Sequence, residues 1–288
     1  MPDLRSIDHV VITPSRNECN FLPSLIESMT RQTIKPSRWV IVIHNSTDSS
    51  IKTLKEAQNE NDWISIVLVD DDSPRKRGSQ IAKLVNIGIN SLDKGWDFLS
   101  KIDADMILPD DYFEKILSNF ILFEGLGIAS GSCYLLEDQK KISERVSSDH
   151  TRGGLKTYRR QCFDQIGGIM EVDGWDGIDN IMAQMGDWET KSFLDIESHH
   201  QRRTGASSGL LRGCFEAGKF AHSMRYFPPF IVARSIHRMA RKPLFLGGFS
   251  MILGYLHGVM TRQPPIPRSD VLGYLRKKQK SRLKFWSR

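Results

Sequence analysis

Short apolar runs alternate with stretches of helical periodicity through roughly the first 130 residues. His9–Thr13 (HVVIT), Trp39–Ile43 (WVIVI), Ile64–Val69 (ISIVLV) and Phe98–Ile102 have the length and β-branched content of strands. Between them, Phe21, Leu22, Leu25, Ile26 and Met29 fall on one helical face, and Ile51–Ala57 and Ile81–Leu92 repeat that spacing. Asp110–Phe123 predicts a further helix with Pro109 near its start, and Gly127–Leu136 predicts a fifth strand. Continuous apolar strands need cover on both faces, so the expected class is α/β, a mostly parallel central sheet flanked by helices. Ligands of such sheets gather beyond the carboxyl ends of the strands. All four runs end there in polar or acidic clusters: Thr13–Glu18, His44–Asp48, Asp70–Asp72 and Asp103–Asp105.

The pattern weakens across residues 140–224, which are rich in Gly, Trp, Asp and Arg and are expected to form a loop-built substrate region. It changes again near the end. Leu244–Met260 is an uncharged 17-residue run holding four glycines, with Arg241 and Lys242 before it and Arg262 after it. A helix of that length reaches about 25 Å, short of the ~30 Å hydrocarbon core of a bilayer. A hairpin embedded in or lying on a membrane is the favoured expectation; a spanning helix and a helix packed against the globular part remain open. The last residues, RKKQKSRLKFWSR, mix six bases with Phe285 and Trp286 before the closing Arg288.

Composition sharpens this division. Hydrophobic residues are 40% and charged residues 26%, which excludes a disordered chain and a polytopic membrane protein. The net charge of +6 conceals a split: residues 1–224 hold 26 Lys/Arg against 33 Asp/Glu, and residues 225–288 hold 14 against Asp270 alone. A body of charge −7 with a tail of +13 suggests that the tail meets an anionic surface. Apolar and glycine-rich neighbours favour a membrane over nucleic acid. The four separated cysteines (Cys19, Cys133, Cys162, Cys214) show no metal-ligand spacing, and Met1–Asp8 does not read as a secretory leader. The expected setting is cytoplasmic, peripheral at the inner face of the cell membrane.

The sharpest chemical signal is Lys101-Ile102-Asp103-Ala104-Asp105 at the end of the fourth strand. In extended chain, residues i and i+2 share a face, and two carboxylates so placed suit a hard divalent ion that also takes phosphate oxygens. Arg75-Lys76-Arg77-Gly78 lacks the ending of a P-loop, and no GxGxxG follows the first strand.

Taken with Thr13-Pro-Ser-Arg-Asn-Glu18, Asn45-Ser-Thr-Asp-Ser49, the Arg77-Gly-Ser-Gln…Asn86-Ile-Gly segment, Gly167-Gly-Ile169 and Trp175-Asp-Gly-Ile-Asp179 followed by Trp188, this Asp-x-Asp resembles family 2 inverting glycosyltransferases with the GT-A fold, of the bacterial polysaccharide or lipid-linked glycan type. The resemblance spans roughly residues 8–222. It implies a GT-A domain over 1–224, with a nucleotide-sugar half to about 130, an acceptor half from about 131, and a basic helical tail over 225–288. It implies Mn2+ or Mg2+ as cofactor, with Asp105 as metal ligand, Asp103 on the ribose or donor sugar, and His200 of the Ser198–Gly205 segment reaching back to the metal. The donor would be held by Thr13, Pro14, Arg16 and Glu18 of the first loop, by Asp48 and Asp70 of the next two, and by Arg77, Lys83 and Asn86. Arg202 and Arg203 would add phosphate contacts. Asp176 is the first choice for the base and Asp179 the second. Where the family carries an acid pair after its second strand, this chain has Ile43 and His44, so UDP-, dTDP- and GDP-linked donors all stay open. The acceptor would be a glycan or lipid-linked hydroxyl. A sugar nucleotidyltransferase and a non-enzymatic membrane- or nucleic-acid-binding protein are the alternatives; Thr13–Glu18 has no glycine, unlike the signature loop of the former.

Overall fold

A computed structural model describes residues 4–71, 78–93, 95–137, 140–144, 148–202 and 209–286. The chain divides into two compact units, Met1–Arg202 and Arg203–Arg288.

The first unit carries a nine-stranded sheet among the described residues, in the order β3-β2-β1-β4-β8-β6-β9-β5, with β7 paired to β6. Its parallel half is β1 (His9–Ser15), β2 (Arg38–His44), β3 (Ile64–Val69) and β4 (Phe98–Ile102), joined through α1 (Leu22–Thr30), α2 (Ser50–Glu60) and α3 (Ser79–Asn90). The apolar runs are continuous because β1, β2 and β4 are buried on both faces; β3 lies at the sheet edge and exposes Leu68. Ser15 pairs beside Ile43 and His44 beside Val69, so the loops after these strands emerge at one rim. Pro14 does not end β1, since the strand runs one residue past it.

Among its described residues, the region expected to be irregular forms regular elements. The short β5 (Met106–Ile107) and α4 (Tyr112–Leu122) lead to the long β6 (Leu126–Glu137), which turns back as β7 (Lys140–Glu144). Strand β8 (Leu155–Arg159) runs antiparallel between β4 and β6. It is followed by α5 (Arg160–Ile166), α6 (Trp175–Met185) and the twelve-residue β9 (Glu189–His200). These strands escape an apolar pattern because they bury polar residues: Lys156, Thr157, Ser192 and Ser198. Tyr158-Arg159 is strand, and Arg160 opens α5. The core centres on Trp39, stacked on Trp63 at 5.8 Å, with Tyr112, Phe113 and Phe120 of α4.

The second unit contains α7 (Leu210–Ser223), α8 (Pro228–Met239), α9 (Leu246–Met260) and α10 (Ser269–Trp286). It begins about twenty residues before the charge boundary at 224/225, because α7 packs backbone-to-backbone on α9. A Cβ on Gly218 would lie 2.0 Å from the Met251 carbonyl oxygen, and one on Gly254 would lie 1.9 Å from that of Phe215. This close approach accounts for glycines in an otherwise apolar run, which is one helix and not the expected hairpin. No helix among the described residues is long and apolar enough to cross a membrane.

Within β1, His9 is buried, bonded through Nε2 to Ser100 Oγ at 2.8 Å and packed edge-on to Phe113. Burial, opposed by nearby Asp8, pushes its pKa down to about 3. The unfolded chain therefore takes up a proton near pH 6.5 that the folded one refuses, and this contribution to stability is lost as pH falls from 6.5 toward 3. Lowering the pH from 7 to 5 should cost about 2 kcal/mol through this one group. Denaturant midpoints of the wild type and of His9→Asn across that range should show the slope flattening in the variant.

Candidate functional site

Beyond the carboxyl ends of the parallel strands, the first two loops are tied to each other. Asp48 accepts the N–H of Cys19 at 3.1 Å and of Ser50 at 3.0 Å. Burial raises its pKa, but these hydrogen bonds outweigh it and hold the group down at about 2. Asp48 is thus a loop clasp with both oxygens engaged. Thr13 is likewise occupied: its buried hydroxyl accepts the Trp39 indole N–H at 2.9 Å. Pro14 is half-buried at the end of β1.

Of the third loop, Asp70 is exposed, and Asp71 turns inward instead. Its carboxylate meets His44 Nε2 at 2.8 Å, and Lys83 Nζ lies 3.6 Å from its other oxygen. Arg16 Nη1 is 3.5 Å from His44 Nδ1. The result is a relay of Arg16, His44, Asp71 and Lys83 across three loops, with Asp71 as the member the sequence reading missed. Asn86 donates to the Ile169 carbonyl at 3.0 Å and to Glu171 at 3.1 Å, tying α3 to the segment before α6. At the start of α3, Gly78 has φ of 70° and a Cβ there would strike Asp173 Oδ1; that oxygen accepts the Ser79 N–H at 3.0 Å. Arg77 and Arg203 lie outside the described residues.

The pairing of β5 with β9 assembles the charged centre. Met106 lies opposite His200, and the Gln201 N–H donates to the Asp105 carbonyl at 2.9 Å. His200 Nε2 thereby comes within 3.3 Å of Asp105 Oδ2, and Arg202 Nε reaches the same oxygen at 2.5 Å. Arg202 also reaches Glu18 Oε1 at 2.7 Å and stands over the Phe21 ring at 5.0 Å. On the far side, His200 Nδ1 meets Glu144 Oε2 at 3.0 Å, and Arg152 Nη2 meets that oxygen at 2.6 Å. Glu144 ends β7 opposite Cys133, which pairs with Ser198, so it shares a sheet face with His200. The six groups alternate in sign: Glu18, Arg202, Asp105, His200, Glu144, Arg152. Burial alone would lower the His200 imidazole, but its bonds to Asp105 and Glu144 hold it up at about 9. Burial would raise Glu144, and His200 and Arg152 bring it to about 2. Asp105 is depressed in the same way, its burial outweighed by His200 and Arg202.

Asp103 emerges beside Gly154, whose carbonyl accepts the Asp103 N–H at 3.0 Å. A Cβ on Gly154 would lie 2.8 Å from Asp103 Oδ2, and one on Gly153 would lie 2.9 Å from Asp176 Oδ2. Two consecutive glycines thus let the backbone approach both carboxylates more closely than a side chain would allow. Their role depends on β8 lying beside β4, which no local motif announces.

Asp179 is engaged differently. It is buried, its carboxylate bonded to Lys156 Nζ at 2.7 Å, to the Tyr158 hydroxyl and to the Asn180 N–H at 2.6 Å. Nor does it cap a helix, since α6 begins at Trp175. Lys156 also donates to the Asp176 carbonyl, and its ammonium lies 5.6 Å from the Trp175 ring centroid, as does that of Lys101, which is paired to Asp103. Two buried lysines and one tryptophan thus link the Asp-x-Asp strand to the start of α6. Breaking a buried pair strands a charge, so Asp179→Asn and Lys156→Met should each cost about 3–5 kcal/mol, and the double variant less than their sum. Urea midpoints of the three proteins measure this.

Residues 10–174 match the model of the family described as glycosyl transferase family 2. Over 119 residues the chain is 29% identical to succinoglycan biosynthesis protein ExoA of Rhizobium meliloti (strain 1021), covering 41% of this chain and 34% of that protein. The match thus spans about a third of that relative's length. Among solved structures, the mannosyltransferase PcManGT from Pyrobaculum calidifontis in complex with GDP-Man and Mn2+ superposes with a TM-score of 0.64 at 14% identity, over 91% of this chain and 90% of that one. S. aureus TarS in complex with UDP gives 0.53 at 13% identity, over 68% and 61%. GalNAc-T7 with UDP, GalNAc and Mn2+ gives 0.53 at 13% identity, over 68% and 44%. At these identities the structures establish a common GT-A fold.

Proposed function

The chain belongs to glycosyl transferase family 2, and from its site geometry we propose that it is a metal-dependent inverting transferase of cell-surface polysaccharide synthesis. It moves a sugar from a nucleotide-diphosphate donor to the hydroxyl of a glycan or lipid-linked acceptor. The observation that carries this reading is the seating of Asp103 and Asp176 side by side against Gly154 and Gly153, with Asp103 two residues from the Asp105–His200 pair.

The donor set fits a hard divalent ion. Asp105 offers a carboxylate oxygen and His200, once an ion displaces its Nε2 proton, an imidazole nitrogen 3.3 Å away, with the other ring nitrogen tied to Glu144, the arrangement that orients a ligating histidine. Among the described residues no cluster of three acidic, Cys or His groups could hold an ion unaided. Sharing it with substrate phosphates is the usual habit of Mg2+. When bound, Mn2+ or Mg2+ would supply Lewis-acid neutralisation of the departing diphosphate, with Asp105 and His200 as its protein ligands.

The remaining work falls to side chains of the chain itself. Lys83, Arg16 and Arg202 bring cations to the donor side, and Asp71, fixed by His44, supplies the carboxylate that the second-strand loop lacks. This supports reading the nucleoside through Asp71, with UDP-, dTDP- and GDP-sugars all candidates for the donor. Asp103, braced by Lys101, orients the ribose or donor sugar. Asp176 accepts the acceptor hydroxyl proton as the new C–O bond forms on the face opposite the breaking bond to diphosphate, so the anomeric configuration inverts. We assign the base to Asp176 alone, because Asp179 is committed to Lys156 and Tyr158. The cationic second unit keeps the enzyme at the inner face of the cell membrane, where lipid-linked acceptors present their sugars.

A thermal-shift screen of nucleotide sugars with Mn2+ and Mg2+ tests the donor reading. One nucleotide diphosphate should raise Tm only when metal is present, and Asp105→Ala should abolish that rise. If no nucleotide diphosphate stabilises the protein in a metal-dependent way, the reading is wrong. Asp176→Asn should lower kcat about 10²- to 10⁴-fold while leaving the metal-dependent shift intact. Retention of full transfer by that variant would remove Asp176 as the base.

A further inference from the structure

The second unit carries an apolar face that its own packing does not use. In α9, Gly247, Met251, Gly254 and Gly258 face inward, and glycine contacts with α7 and α8 cover that side. On the outward side, Leu246, Phe249, Leu253, Leu256 and Met260 recur at intervals of three and four and are 56, 56, 43, 48 and 82% exposed. Phe245, just before the helix, is 71% exposed. A stripe of large side chains at helical spacing, held out by a helix whose inner contacts are made by glycine, exceeds the scattered apolar exposure of an ordinary surface.

We propose that this face of α9 enters the headgroup and upper acyl region of an anionic bilayer, lying in the plane of the membrane. The inference rests on the membrane reading above and assigns it to one helix. Exposed Arg241 and Lys242 precede α9 and exposed Arg262 follows it, so cations stand at both ends of an uncharged stripe. That is the pattern of an interfacial helix, whose cations stay at headgroup level while the apolar side sinks between lipids. At about 22 Å, the fifteen-residue helix is too short to span, and it is anchored along its inner side by α7. In the same unit, α10 buries Val271, Leu275 and Gln279 and exposes Arg276, Lys277, Lys280 and Arg282, adding charge that attracts acidic lipid. A second copy of this chain fits the face poorly. Pairing two α9 helices in either direction would oppose Arg241 and Lys242 to their equivalents or to Arg262, so cations would meet cations with only Asp270 as an acid anywhere in residues 225–288.

The test is co-sedimentation of the full chain with vesicles of phosphatidylcholine, alone or with about one-third phosphatidylglycerol. Wild-type protein should sediment with the anionic vesicles, and the triple variant Phe249→Ser/Leu253→Ser/Leu256→Ser should bind them about tenfold or more weakly. Its metal-dependent nucleotide thermal shift should persist, which verifies folding of the first unit. In a second arm, Phe249→Trp should show fluorescence quenching by brominated acyl chains beyond that of wild type. If the triple variant binds as wild type does and Phe249→Trp is not quenched, the assignment to α9 is overturned, while the membrane reading survives through α10. If wild type binds neither vesicle, both are overturned. If light scattering shows a dimer that the triple variant dissociates, the occupant is a second copy and the proposal fails.

Discussion

A carboxylate taken out of water must be answered by charge, and Asp105 sets that requirement for the centre of this molecule. It is 5% exposed, and the two groups that answer it, His200 at the end of β9 and Arg202 just past it, lie almost a hundred residues later. They reach it only because β5, two residues long, pairs with the end of β9. Each answering cation then needs its own anion: Glu18 for Arg202, Glu144 for His200. Removing one member leaves a neighbour with an unbalanced buried charge, so the row acts as a unit. The first loop, the Asp-x-Asp turn, the β6–β7 hairpin and the end of β9 are thereby held in one arrangement.

A second buried arrangement stands behind it. Lys101 braces Asp103, Lys156 holds both Asp179 and the first turn of α6, and Trp175 lies near both ammonium groups. Burying two lysines so close together is costly unless each has a partner and a π face nearby. What the arrangement secures is the relation between the strand that carries Asp103 and the helix that carries Asp176. The glycines at 153 and 154 let both carboxylates sit against the backbone that leads into β8.

The parallel half of the sheet was legible in the sequence because burial on both faces writes an unbroken apolar run, and β1, β2 and β4 carry one. Strands β8 and β9 were not legible. Lys156, Thr157 and Ser192 are buried there by virtue of partners far along the chain, and a polar residue satisfied at long range looks like a surface residue in a local pattern. The site divides along the same line. Asp103, Asp105 and His200 stand in recognisable local segments, whereas Glu144, Gly153 and Gly154 matter only through sheet pairing. For two carboxylates the surroundings come from geometry that no local pattern carries. Asp70 points outward while its neighbour Asp71 turns in, and Asp179, in the segment resembling the base motif, is taken up by Lys156 and Tyr158.

The acid at the beginning of α3 has one more consequence. A helix start is ordinarily an anion receptor, its free N–H groups and dipole offering a place for phosphate. Here Asp173 already fills that role at Ser79, brought there from the segment that leads into α6. The receptor is closed by the protein's own carboxylate, so a diphosphate arriving near α3 must compete with it or find its counter-charge on side chains. The same bond makes the start of α3 sensitive to where the segment before α6 sits. A shift of that segment would therefore expose or cover the receptor, giving it and α3 a direct mechanical connection.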